Sequence, residues 1–170
     1  MALELDTEID FVNIGLTNQI REQVIGLLNT LLADEHLLYV RTRNYHWNIE
    51  GPHFITLHEL FEDQYNEIQG LADEIAERAR MLGGTPIGTM RAFLDNSRLT
   101  ETPGEVLNAR EMLARLLEDH ESIVNYLRND IQRCTDELND EGTADLLIAT
   151  LRNHEKTAWM LRAHLGEASL

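Results

Sequence analysis

The sequence NYHWNIEGP, at residues 44–52, marks a turn between two long helices and decides the fold. Before it, apolar side chains recur at the 3.6-residue spacing of a helix from about Thr17 to about Trp47, and its Gly-Pro pair stops that helix. After it, a second periodic stretch runs to Gly83-Gly84, a pair typical of a helix C-terminus. The stretch therefore predicts a helical hairpin. The apolar positions are Ile20, Val24, Leu27, Leu28, Leu31, Leu32, Leu38 and Val40 in the first helix, and Leu57, Phe61, Ile68, Ile75 and Leu82 in the second.

The second half of the chain predicts two more long helices. A connection with a short helix around Met90–Leu94 leads to the sequence TPGE at residues 102–105, which resembles a capping box and starts a helix that reaches about Leu138. Thr143 is predicted to cap the last helix, which ends at Gly166 and counts Trp159 among its apolar positions. The fold class is therefore all-α, a four-helix bundle with a short extra helix in its crossover.

The domain organisation follows from these helices. Residues 1–16 are predicted to form an acidic N-terminal arm, residues 17–166 a single bundle domain, and residues 167–170 a short C-terminal tail. The single cysteine, Cys134, excludes an internal disulfide framework and is typical of a reducing compartment. No apolar run approaches the roughly 20 residues that cross a bilayer, and the first residues are acidic, unlike a secretory signal. We therefore expect a cytoplasmic protein that does not contact membranes.

The charge of the chain argues against nucleic acid as a partner. Fourteen basic residues stand against thirty acidic ones, for a formal net charge of −16. Nucleic-acid affinity comes largely from Lys and Arg, and residues 1–16 contain neither. Such a surface suits cations, although acidity also serves solubility alone.

Two pairs of metal-binding residue types lie on the second helix. His58 and Glu62 are four residues apart, and so are Asp73 and Glu77, so that each pair projects from one face. The two pairs are separated by about 22 Å at 1.5 Å per residue, too far to share one metal within a subunit. Antiparallel packing of two such helices across a two-fold axis would bring one pair of each subunit beside the other pair of its partner.

His46, at the end of the first helix, could add a second imidazole to His58. Two nitrogens and several carboxylates suit Fe(II) or Zn(II). The alternative from the residues alone is that the acidic side chains face water and that His58 is a packing residue.

The order and spacing of these residues resemble the signature of the Dps family of miniferritins. The matching residues are His46-Trp47-Asn48, Gly51, Phe54, Leu57-His58-Glu59, Asp73, Ala76-Glu77-Arg78, Leu82-Gly83-Gly84-Thr85-Pro86 and Thr143-Ala144-Asp145. The similarity extends over essentially the whole chain.

The resemblance implies a ferroxidase centre shared between two subunits, with His46, His58 and Glu62 from one and Asp73 and Glu77 from its two-fold partner. It implies Fe(II) oxidation by hydrogen peroxide and storage of ferric oxide inside a hollow shell of twelve subunits. Dps proteins commonly carry Asp at the position of Glu62, so its longer side chain bears on how the second metal position is held and on whether zinc competes there.

The resemblance also gives roles to four other acids. Asp140 and Asp145 correspond to residues that line three-fold pores, and Glu59 and Asp63 to carboxylates that nucleate mineral in the interior. Acids near a helix N-terminus are ordinarily partners of the helix dipole, and a solvated acidic face is the alternative for Glu59 and Asp63.

The remaining histidines and the alternative functions complete the predictions. Most of the other histidines are expected to be structural, although His120, His154 or His164 could join a variant metal site. A helical assembly that binds zinc structurally is one alternative function. DNA compaction, which the family name suggests, is disfavoured because the chain has no basic tail.

Overall fold

A computed structural model describes residues 12–166 of the chain, which form four long helices and a short one. Most of the predicted acidic arm and the predicted C-terminal tail lie outside the described residues. Within them there is no strand, and no helix combines the length and apolarity needed to cross a membrane. The helices are α1 Asn18–Asn48, α2 Phe54–Met81, α3 Met90–Asn96, α4 Ala109–Gln132 and α5 Glu141–Leu165.

Helices α1 and α2 form the predicted antiparallel hairpin. Thr17 caps α1, its side chain accepting a hydrogen bond from the backbone N–H of Ile20. At the far end of α2, Gly83 adopts a φ of +88°, and the backbone N–H of Gly84 donates to the carbonyl of Ala79 at 3.0 Å. This is the glycine-dependent end that the sequence predicted.

The crossover between α2 and α4 is held by a half-buried arginine. Arg98, just after α3, donates to Asp34 on α1 and to Asp130 on α4, with both Nη1–Asp130 and Nε–Asp34 distances at 2.8 Å. Asp34 is fully buried, so its charge needs this partner. A second ion pair joins Arg41 on α1 to Asp119 on α4. The two pairs fix α4 antiparallel to α1.

The predicted start of the third long helix at residues 102–105 is wrong. Helix α4 begins at Ala109 after the cap Asn108, whose side chain accepts from the N–H of Glu111 at 3.0 Å while the Glu111 carboxylate accepts from the N–H of Asn108. Glu105 instead lies 3.4 Å from Arg115. Residues 102–105 therefore belong to the crossover.

The predicted cap of the last helix is also corrected. Asp140, not Thr143, caps α5, because its carboxylate accepts from both the backbone N–H and the hydroxyl of Thr143. Just before it, α4 continues through a π-helical turn at Arg133–Glu137. Asn139 then takes the left-handed φ of 50° that turns the chain into α5.

The bundle core contains most of the predicted apolar positions. Two predictions were wrong: Val40 and Trp159 are exposed at the surface of the isolated chain. Polar residues occupy the middle of the core, where Glu35, His120 and His154 are fully buried. Burial of ionisable groups at this depth requires hydrogen-bond partners.

Candidate metal centre

His46 and His58 lie together where α1 turns into α2. The Nδ1 of His46 is 2.8 Å from the carbonyl oxygen of His58, and the Nδ1 of His58 is 2.8 Å from the carbonyl oxygen of His46. Because a carbonyl can only accept, each Nδ1 must carry the proton that it donates. In the neutral rings, each Nε2 therefore keeps a free lone pair for a metal.

Stacking fixes the orientation of the two imidazoles. Their ring centroids are 3.8 Å apart and nearly parallel. Phe54 stacks on His58 at 5.0 Å, and the edge of Tyr65 meets His46 at 5.3 Å. His46 is buried and His58 is half-buried, so both rings are held by packing before any ion arrives.

Glu62 lies one helical turn after His58 and is exposed. The hydroxyl of Tyr65 donates to its Oε1 over 3.4 Å, a long hydrogen bond. Desolvation and the neighbouring Glu62 carboxylate raise the pKa of Tyr65, so its hydroxyl stays protonated and available as a donor. The sequence pattern did not identify Tyr65. Its position three residues after a candidate ligand, on the same helix face, was the available signal.

Asp73 and Glu77 are exposed on the far part of α2, and nothing in the isolated chain brings them to the histidines. Across residues 12–166, no three side chains of the His, Cys, Asp or Glu types are grouped so that they could hold one metal. One subunit thus presents two imidazole nitrogens beside a carboxylate at one end of α2, and two further exposed carboxylates towards the other end.

The other predicted acids differ in their surroundings. Glu59 and Asp63 are exposed on α2, close to the ligand pair. Asp145 is exposed on the first turns of α5, as a pore residue must be. Asp140 is almost fully buried and bonds to Arg78 at 2.8 Å as well as to Thr143, so the predicted pore role for Asp140 must compete with these internal bonds.

The extra histidines do not join His46 and His58. His120 and His154 bond to each other in the bundle core, and His164 is half-buried at the end of α5. The prediction that most of them are structural is consistent with these positions. The sequence pattern did not identify Glu35, which bonds to His154, because a Glu in a long helix normally faces water.

Comparison with known proteins gives consistent matches. A family model described as a ferritin-like domain matches residues 25–170. The DNA protection during starvation protein of Brevibacillus brevis is 40% identical over 150 residues, which cover 88% of this chain and 99% of that protein.

Two solved structures resemble the fold closely. DpsC from Streptomyces coelicolor superposes with a TM-score of 0.91 at 33% identity, covering 100% of this chain and 99% of that one. The Dps protein of Vibrio cholerae, described as a member of a broad superfamily of ferritin-like diiron-carboxylate proteins, superposes with a TM-score of 0.85 at 32% identity and covers 91% and 96% of the two chains.

Proposed function

Since the chain belongs to the Dps family of ferritin-like proteins, we propose that it is a ferroxidase that binds Fe(II) between two subunits, oxidises it and stores the product. The observation that carries the proposal is the reciprocal bonding of His46 and His58, which occupies both Nδ1 atoms and leaves both Nε2 atoms available in a fixed, stacked pair of rings. A merely packed histidine would not need both Nδ1 atoms tied to carbonyls in this way.

The missing ligands are supplied by a second copy of the chain. Asp73 and Glu77 are exposed on the same helix as His58 and Glu62, so an antiparallel neighbour places its carboxylates beside the imidazoles, and the two-fold axis makes two such sites. Large apolar side chains are exposed around the histidines, which favours burial of this face by the partner: Trp47 is 63% exposed and Ile55 is 62% exposed.

The donor set fits iron as a substrate that changes oxidation state. Imidazole nitrogen is a good ligand for Fe(II), and carboxylate oxygen becomes the stronger ligand as the charge on iron rises. Two Fe(II) ions each give one electron to one hydrogen peroxide molecule, which takes up two protons and leaves as two water molecules. Paired transfer avoids the hydroxyl radical that a single electron would release, which is why a site for two irons protects the cell.

The oxidised iron is stored inside a shell of twelve subunits built from these two-fold dimers. Glu59 and Asp63, exposed near the centre on α2, are the proposed nucleation carboxylates for ferric oxide. Of the two proposed pore residues, Asp145 is exposed, whereas Asp140 is buried. The proposal places this chemistry in the cytoplasm, as the single cysteine predicted.

The test is peroxide-dependent oxidation of Fe(II) by the assembled protein. The double variant Asp73→Ala with Glu77→Ala lacks the ligands that the partner would supply. Loss of a residue that only supports a metal ligand already costs roughly 10–100-fold in activity, so we expect the oxidation rate to fall by at least that factor. The matched control is Glu74→Ala, an exposed acid on the same helix, which should oxidise Fe(II) normally. Size-exclusion chromatography checks that each variant still assembles.

Three results would contradict the proposal. Unchanged oxidation in the assembled double variant would remove Asp73 and Glu77 from the site. A stably monomeric protein that oxidised Fe(II) at the normal rate would exclude a shared centre. Tightly bound zinc with no uptake or oxidation of iron would favour the structural zinc alternative.

A further inference from the structure

A chain of three ionisable side chains crosses the middle of the bundle. The Nε2 of His154 on α5 lies 2.8 Å from Oε1 of Glu35 on α1, and its Nδ1 lies 2.8 Å from Nδ1 of His120 on α4. All three side chains are essentially inaccessible to solvent. The proposed iron chemistry uses none of them, and their bonds link three of the four long helices.

The geometry limits how many protons this core chain can hold. The bond between the two Nδ1 atoms needs one donor and one acceptor, so only one of them carries hydrogen. A doubly protonated ring carries hydrogen on both nitrogens. His154 can be charged if His120 accepts, but if both rings were charged, two N–H groups would face each other over 2.8 Å and the bond would break.

Several buried polar atoms in and around this core chain have no hydrogen-bond partner. The Oε2 of Glu35 and the Nε2 of His120 are buried without a hydrogen-bond partner, and so are both amide atoms of Gln64 on α2. Two contacts show which residues of neighbouring helices lie at the same level. Tyr39 on α1 meets Tyr65 on α2, and Arg41 on α1 pairs with Asp119 on α4.

That register places Gln64 and His120 at the same level of the core, opposite residue 40 of α1. Helix α2 therefore carries a neutral amide at this level of the core. The nearby carboxylate of Asp119, on the same helix as His120, is already paired with Arg41. The carboxylate of Glu35 on α1 bonds to His154.

We propose that the Glu35–His154–His120 chain is an acid-sensitive latch of the bundle, intact while it holds at most one imidazolium and broken when mild acid protonates both rings. Breaking the bond between His120 and His154 leaves unpaired polar groups in the core and separates α4 from α5 at mid-height. The latch is independent of iron binding at His46 and His58.

The titration of His120 agrees with this geometry. Burial, and then the neighbouring His154, lower the pKa of His120 well below its ordinary value of 6.5. The folded chain thus resists a proton that the unfolded chain accepts near pH 6.5, so the stabilising effect of neutral His120 is fully present above that pH and is lost as pH falls. One such proton lowers the equilibrium constant for folding about tenfold for each pH unit below 6.5, until the pH reaches the pKa of folded His120.

The experiment measures folding of the assembled full-length protein by urea titration with helical circular dichroism at several pH values from neutral to mildly acidic. Wild type should lose stability steeply below pH 6.5. In His120→Gln, the amide can still bond to His154 but cannot titrate. The equilibrium constant for folding should therefore fall about tenfold less per pH unit in this variant than in wild type. The matched control is His53→Gln, at an exposed histidine, which should follow wild type.

A second measurement covers the case in which His120→Gln does not fold. The ring nitrogens of His120 report its charge by NMR, and this ring should remain neutral in the folded protein just below pH 6.5, because burial lowers its pKa. An equal pH dependence in wild type and folded His120→Gln would overturn the proposal. So would two charged rings, His120 and His154 together, in the native protein with the bond between them intact.

Discussion

At the scale of single residues, the structure adds partners that no sequence pattern contains. His46 and His58 could be chosen as candidate ligands from their spacing and from the family signature. Their mutual bonding could not be predicted, because it depends on the conformation of residues 49–53, which connect α1 to α2. Asp140 shows the opposite case. Its position three residues before Thr143 is a capping pattern that was available in the sequence and was assigned to Thr143 instead.

Cys134 gives a prediction at this scale. Its thiol is fully buried, and desolvation together with the carboxylates of Asp140 and Asp130 raises its pKa to about 11. At pH 8 only about one thiol in a thousand is then ionised, and the thiolate is the reactive form. We expect alkylation by iodoacetamide to be very slow in the native protein and rapid after denaturation. A native rate equal to that of free cysteine would show that this part of α4 opens readily.

At the scale of elements, the periodic pattern predicted each helix but not always its start. The chain carries two capping patterns before α4, Thr102 with Glu105 and Asn108 with Glu111, and the structure uses the second. The reason is tertiary. The crossover is bonded to two helices: Arg41 on α1 donates to the carbonyl of Thr100, and Arg115 on α4 pairs with Glu105. Contacts of this kind between distant segments are invisible to a local pattern.

The corrected helix start can be tested by mutation. Asn108→Ala removes a side-chain cap and should lower the stability of the assembled protein by about 1 kcal/mol, the usual cost of losing a cap. Thr102→Ala, at the position that the sequence favoured, should change it by less than about 0.5 kcal/mol. Urea unfolding at one protein concentration compares the two variants. A larger loss of stability in Thr102→Ala than in Asn108→Ala would indicate that the helix starts at residues 102–105.

The exposed positions of Val40 and Trp159 mark another limit of the pattern. Spacing identifies an apolar face, but it does not say whether that face packs inside the subunit or is left for another molecule. The buried chain of Glu35, His120 and His154 was hidden for the complementary reason, since ionisable residues are expected at the surface. The sequence therefore predicted the bundle and most of its apolar core, and it could not predict the polar centre.

At the scale of the whole molecule, charge decides the partners. The net charge of −16 is spread over a chain with a single lysine, and residues 1–16 contain no basic residue. Although its relative in Brevibacillus brevis is named for DNA protection, we expect this protein not to shift DNA in a gel at physiological salt, because phosphate contacts need Lys and Arg. Tight binding there without added divalent cations would contradict this expectation.

The proposed centre also belongs to this scale, because two subunits would have to contribute its ligands. Sequence spacing already favoured two subunits, since the histidine end and the Asp73/Glu77 end of α2 are too far apart to share one metal. In residues 12–166, no group of three His, Cys, Asp or Glu side chains could hold a metal ion.

The most direct test of a shared centre is complementation between two inactive variants. One carries His46→Ala and His58→Ala, the other Asp73→Ala and Glu77→Ala, and the two are co-expressed with different tags so that mixed assemblies can be isolated. In a mixed dimer one of the two sites keeps every ligand, so random pairing should restore about a quarter of the wild-type rate of Fe(II) oxidation. Mixed assemblies as inactive as either parent would contradict the account.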